Sequence, residues 1–123
     1  MAIMAIMPMM AIANASDALD NVASAIKSGS STELSKAISN NVEICILDDE
    51  GVYSKDQAMA LLKSFFAKNK PSGFKILHRG VSKEGSSYGI GLLSTSNGDY
   101  RTYFYVKQKG DSYSIIELRF EEE

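Results

Sequence analysis

The sequence predicts an α+β domain with helices covering one face of a curved antiparallel sheet. Two observations carry this. Helical spacing of apolar residues is confined to the part of the chain before residue 70. Residues 87–120 then read as three consecutive strands joined by turn residues. Early helices followed by an antiparallel run segregate the helices to one side of a sheet.

The first stretch, 1–15, has a composition of its own. It is uncharged and holds five of the six methionines; Met59 is the sixth. Its end, Ala13-Asn14-Ala15, fits the small-x-small pattern before a signal-peptidase cut and would leave Ser16 as the mature N-terminus. It is shorter than the roughly 20 apolar residues that span a bilayer. It lacks the Lys or Arg of an n-region, so either the start lies upstream or the segment is an apolar tail. No cysteine stands at the cut, which argues against a lipoprotein. The reading is an export signal over 1–15 and one mature domain over 16–123, periplasmic or secreted, with no stable membrane insertion after cleavage.

Residues 16–28 have helical spacing, with Leu19, Val22, Ala23 and Ile26 on one stripe. Ser16 suits the N-cap, and Lys27 with Gly29 suits the C-terminal end. A second short helix follows. Ser30 and Glu33 have capping-box spacing, Leu34, Ala37 and Ile38 are apolar, and Asn40-Asn41 ends it. Val42 to Leu47 is a strand by its β-branched content. Asp48-Asp49-Glu50-Gly51 reads as a solvated turn, because its carboxylates lack the alternate spacing of a calcium loop.

The strongest helix begins at Ser54. Ser54 and Gln57 form a capping box, and Tyr53 with Ala58 a hydrophobic staple. Its apolar stripe is Ala58, Leu61, Leu62, Phe65 and Phe66, and the run from Asn69 to Gly73 stops it. Phe74 to Gly80 is a strand that alternates Phe74, Ile76 and His78 on one face. Val81 to Ser86 is a polar loop.

Tyr88 to Thr95 and Tyr100 to Lys107 flank Asn97-Gly98, the strongest short hairpin signal. A two-residue Asn-Gly loop sets Leu93 opposite Thr102 and Gly91 opposite Phe104. A three-residue loop, Lys109-Gly110-Asp111, leads to the last strand and sets Phe104 opposite Ile116. One face then carries Leu93, Tyr100, Phe104, Val106, Ile116, Leu118 and Phe120. The other carries Tyr88, Ile90, Leu92, Arg101, Tyr103, Tyr105, Tyr113, Ile115, Glu117 and Arg119. Gly89 and Gly91 let the sheet curl. The second face is too aromatic for ordinary solvated surface.

The residues Tyr53-Ser54, Gln57-Ala58, Phe65-Phe66, His78, Gly80, Ser82, Tyr88, Ile90-Gly91, Leu93, Thr95, Gly98, Tyr100-Arg101 and Tyr103 carry a family resemblance. Through them the mature chain resembles the NTF2-like (cystatin-like) superfamily, and more narrowly an uncharacterised family of small exported Bacteroidetes proteins within it. The resemblance implies a cone-shaped sheet wrapped on the N-terminal and central helices. It implies no activity, because this fold hosts isomerases, dehydratases, hydrolases and pure binding modules.

Composition narrows the function further. The net charge is −2 with no basic stripe, which argues against nucleic-acid binding. The single cysteine, Cys45, excludes an internal disulfide, and with one histidine there is no tetrahedral zinc set. No cofactor is expected. The expected cone pocket is Phe65, Phe66, His78, Tyr100 and Phe104; it either takes an apolar small molecule or peptide or is closed by Phe65, Phe66 and Phe104, which leaves only the outer face for function. An isomerase or dehydratase would need His78 as base with Tyr88 or Tyr100 as donor, but that face offers no mid-strand carboxylate. The favoured reading is therefore a non-catalytic binding or assembly protein. It would pair as an isologous homodimer through Ile90, Leu92, Tyr103, Tyr105 and Ile115, or assemble with a cell-envelope partner.

Overall fold

A computed structural model describes residues 15–81 and 85–123. Residues 1–14 of the expected export segment, and Ser82, lie outside the described residues. The order is α1 (Ala15–Ser28), α2 (Ser31–Ala37), β1 (Ile38–Ile46), β2 (Asp49–Tyr53), α3 (Lys55–Lys68), β3 (Pro71–Val81), β4 (Ser86–Thr95), β5 (Gly98–Lys109) and β6 (Ser112–Glu122). The strands form one six-stranded sheet in the order β2-β1-β6-β5-β4-β3. Every pairing is antiparallel except β1 with β6, which is parallel.

The helix ends follow their local chemistry. Gly29, at φ 66°, ends α1 in a Schellman motif: its N–H donates to Ile26 O, and the Ser30 N–H to Ala25 O. Ser30 then caps α2 by accepting from the Glu33 N–H at 3.1 Å. The Glu33 side chain bonds Lys36 instead of returning to Ser30. Around α3 the box is complete: the Gln57 N–H reaches Ser54 Oγ, and the Ser54 N–H reaches Gln57 Oε1.

The strands differ from expectation in five places. Strand β1 starts at Ile38, directly from α2, with an irregular register between Ile38 and Glu43. The acidic stretch is not a turn throughout. Only Leu47-Asp48 turns, and Asp49–Tyr53 pairs with β1 as an edge strand. The β4–β5 loop is Ser96-Asn97, so Leu93 faces Tyr100 and Gly91 faces Thr102. Gly98 takes the positive φ of 119°, while Thr95 Oγ1 accepts from the Asn97 N–H and donates to Gly98 O. This two-residue shift leaves every side chain on its expected face.

The fourth and fifth differences change faces. The β5–β6 loop is Gly110-Asp111, and Ile116 is a bulge between the pairs Tyr105–Glu117 and Val106–Ile115. Ile115 is therefore wholly buried in the core, and Tyr113 packs on the core's edge, not on the outer face. A second bulge, at Leu77, pairs His78 with Ile90. That turns His78 away from the face of Phe74 and Ile76.

The core lies between the inner face of the sheet and the three helices. Leu19, Val22 and Ile26 of α1, Leu34 of α2 and Leu62, Phe65 and Phe66 of α3 meet Leu93, Phe104, Ile115, Leu118 and Phe120. Phe65 stacks on Phe120 with centroids 4.5 Å apart and meets Tyr100 edge-on at 5.3 Å. A Cβ at Gly89 would lie 2.5 Å from the Phe104 ring, and one at Gly91 2.5 Å from the Phe74 ring. Both large rings thus come so close to glycine backbone that no side chain fits there. Replacing Phe104, which is 0% exposed, by alanine leaves an interior void. We expect a loss of about 3–5 kcal/mol in urea unfolding.

Candidate functional site

The residues expected to line the cone form its filling. Phe66, Tyr100 and Phe104 are buried in the core, and Phe65 shows only one edge to a surface hollow. The Tyr100 hydroxyl donates to Asn69 Oδ1 at 2.8 Å, and Asn69 Nδ2 donates to Phe65 O at 3.0 Å. Tyr100 is thus a satisfied core tyrosine at the C-terminal end of α3. His78 is not with these residues. It is exposed on the opposite face, and no hydrogen bond or ion pair orients it among the described residues. Tyr88 shares that outer face, separated from Tyr100 by the thickness of the sheet.

The outer face is where the chemistry collects. Its aromatic half lies on β3, β4 and β5. Tyr88 covers Gly80, where a Cβ would come within 2.0 Å of the ring. It stacks with Tyr103, centroids 6.1 Å apart and planes 29° from parallel. Tyr105 pairs with Tyr88, Ile90 with Tyr103, and Leu92 with the exposed Arg101. The expected interface residues Ile90, Leu92, Tyr103 and Tyr105 therefore adjoin one another, and Ile115 is not among them.

The other half lies on β1, β2 and β6 and centres on Arg119. Its guanidinium donates to Glu50 at 2.9 Å, Glu117 at 3.2 Å and Glu121 at 3.4 Å. Pairing sets Glu43 beside Glu117 and Cys45 beside Arg119. The Glu117 carboxylate, followed by a hydrogen bond to Glu50, holds the Glu43 carboxyl above its ordinary value. Arg119, followed by the same bond to Glu43, holds Glu50 below its own. Hydrogen bonds to Glu50 and Glu117 raise Arg119 further. Burial raises Cys45, and burial followed by Glu117 raises Tyr103. A hollow of about 360 Å³ joins the two halves between Ile90, Tyr103, Arg101 and Glu117.

Sequence reasoning placed Glu117 and Arg119 on this face but missed Glu43 and Glu50. The available signal was Glu43, a charge between Val42 and Ile44 in a strand otherwise apolar from Val42 to Leu47. Among the described residues, no group of three or more His, Cys, Asp or Glu side chains is placed to hold a metal ion. No helix among them is long and apolar enough to cross a membrane.

The raised Glu43 carboxyl has a testable consequence. A raised carboxyl favours the folded state at low pH and loses that contribution as pH rises through its folded value. Glu43→Gln keeps a donor toward Glu50 and removes the repulsion from Glu117. We expect a higher melting temperature than wild type at pH 7. The gain should shrink below pH 4.5, the ordinary glutamate value, where Glu43 already holds its proton. Thermal unfolding of both proteins across that range checks it.

The model of a domain of unknown function, DUF4783, matches residues 19–121. A solved DUF4783 family protein from Bacteroides ovatus is 37% identical at TM-score 0.78, over 84% of this chain and 93% of that one. One from Bacteroides uniformis is 28% identical at TM-score 0.79, over 85% and 95%. An NTF-2 like protein of unknown function from Silicibacter pomeroyi shares the fold at TM-score 0.64 and 13% identity, over 89% and 93%. Among curated proteins none matches. The chain therefore belongs to the DUF4783 family, and its fold is the NTF2-like α+β fold.

Proposed function

We propose that this chain is an exported, non-catalytic assembly protein that pairs with a second copy of itself through its outer sheet face. The observation that carries the reading is the contiguous patch of Tyr88, Ile90, Leu92, Tyr103 and Tyr105. Aromatic residues are enriched at the centres of interfaces, and a patch of this kind marks an interaction surface. The rest of the face favours a second copy as occupant. Arg101 is exposed and makes no ion pair among the described residues, while the acidic residues around Arg119 lie on the same face. A two-fold contact presents both to their opposites. Export rests on the uncharged composition of residues 1–15 and the small-x-small pattern at its end.

The interior supports a non-catalytic role. Its aromatic residues pack on one another, and its one buried tyrosine hydroxyl is taken up by Asn69. The histidine of the rival isomerase scheme stands on the far side of the sheet from Tyr100.

Native mass spectrometry of wild type and Tyr103→Glu tests the pairing. Tyr103 is half-buried on a strand surface, so glutamate there leaves the core intact. Wild type is expected at twice the subunit mass and the variant at the subunit mass, with unchanged far-UV circular dichroism. A monomeric wild type, or a variant that stays dimeric, overturns the reading. A different protein retained in place of the second copy would move the function to a heterologous partner.

A further inference from the structure

A second surface, away from the outer face, has the features of a ligand site. One stripe of α3, Gln57, Leu61, Ser64 and Lys68, runs beside the β1–β2 hairpin without closing on it. Two hollows, of about 490 and 350 Å³, lie in the gap. They share Tyr53, Leu61 and Ser64, so they adjoin, and we treat them as one groove. From Gln57 to Lys68 it extends about 16 Å along the helix. Its floor is apolar: Ile44 and Ile46 of β1, Tyr53 of β2, and Leu61 and Phe65 of α3.

The turn at the end of the groove is held in a costly conformation. Leu47 has φ 58°, the one non-glycine positive φ among the described residues. It occupies the first position of a two-residue hairpin loop, where positive φ favours glycine. The backbone is pinned from both sides: the Leu47 N–H donates to Phe120 O at 2.8 Å, and the Cys45 thiol donates to Leu47 O at 3.3 Å. The result is a leucine side chain 40% exposed at the wall of an apolar groove. Strain of this kind persists where the surroundings enforce it, and it clusters at ligand clamps.

The charges at this end have one predominant sign. Asp48 and Asp49 line the groove beside the C-terminus of α3, which carries the negative end of the helix dipole. Lys68 is the single cation against them. We propose that this groove binds a single-chain amphiphile with a cationic head. The alkyl chain lies on Leu61, Tyr53 and Ile46, and the ammonium sits between Asp48 and Asp49. This site is independent of the outer-face pairing.

The test is an NMR titration of the ¹⁵N-labelled full chain with dodecylammonium, and separately with dodecanoate, both below their micellar concentrations. Saturable shifts are expected at Leu47, Tyr53, Leu61 and Ser64 with dodecylammonium, and weaker ones with dodecanoate. Two variants separate binding from folding. Leu47→Gly removes the apolar wall and the strain together, so affinity should fall about tenfold while the melting temperature holds or rises. Ala60→Arg, at an exposed helix position that lines the groove, should block the chain and leave the fold intact. Absence of saturable shifts at these residues, or an unchanged response in Ala60→Arg, overturns the site. Equal or tighter binding of dodecanoate overturns the assignment of a cationic head. Groove resonances that move on dilution of the protein alone would place a second copy there and overturn it as well.

Discussion

The seating of two phenylalanine rings on two glycines governs this structure. Phe104 lies on Gly89 and Phe74 on Gly91, so closely that any side chain at either glycine would collide. The rings can therefore sit close against the concave face, and the sheet can curl around α1 and α3 over them. Phe104 and Phe74 then meet at 6.3 Å, and Phe65 and Phe66 of α3 close over Phe120 beside them. A concave sheet with smaller residues here would enclose a cavity. With these rings it encloses a packed core, and the residues of the inner face are committed to stability.

Two single-residue insertions decide what faces that core. Side chains alternate strictly along a strand, so one bulged residue moves everything beyond it to the other face. Leu77 does this in β3 and puts His78 outside. Ile116 does it in β6 and puts Ile115 inside. Neither bulge has a glycine or proline to announce it in the sequence. Both positions are held by cross-strand partners that only the assembled sheet supplies. The one histidine of the catalytic scheme and one residue of the expected interface take the opposite faces for the same physical reason. The hairpin register of β4 and β5 was also misjudged, but by two residues, and there the faces survived.

The helices were legible because their signals are local. Ser54 with Gln57, Ser30 ahead of Glu33, and Gly29 after Lys27 are readable from spacing, and each performs its capping role. What was not legible is long-range. Asp49-Glu50-Gly51 has poor strand propensity and becomes an edge strand only because β1 pairs with it. The parallel contact of β1 with β6 joins segments more than 70 residues apart. That contact builds the Arg119 cluster, since it sets Cys45 beside Arg119 and Glu43 beside Glu117. A charged residue in an apolar strand hinted at the cluster, and tertiary pairing was needed to complete it.

Strand β1 also explains how one small domain can carry two separate surfaces. Ile44 and Ile46 point inward, toward α3 and the groove beside it. Glu43 and Cys45 point outward, toward Arg119. The strand is one residue thick, so the two surfaces are close in space and share only the turn residues Leu47 and Asp48. They meet at the Leu47 turn, where the outward Cys45 thiol holds the carbonyl of the residue that walls the groove. Alternation along a single strand thus separates the charged residues of the outer face from the apolar lining of the groove everywhere but at this turn. A change at Glu43 alters the electrostatics of one surface and leaves the apolar lining of the other as it was.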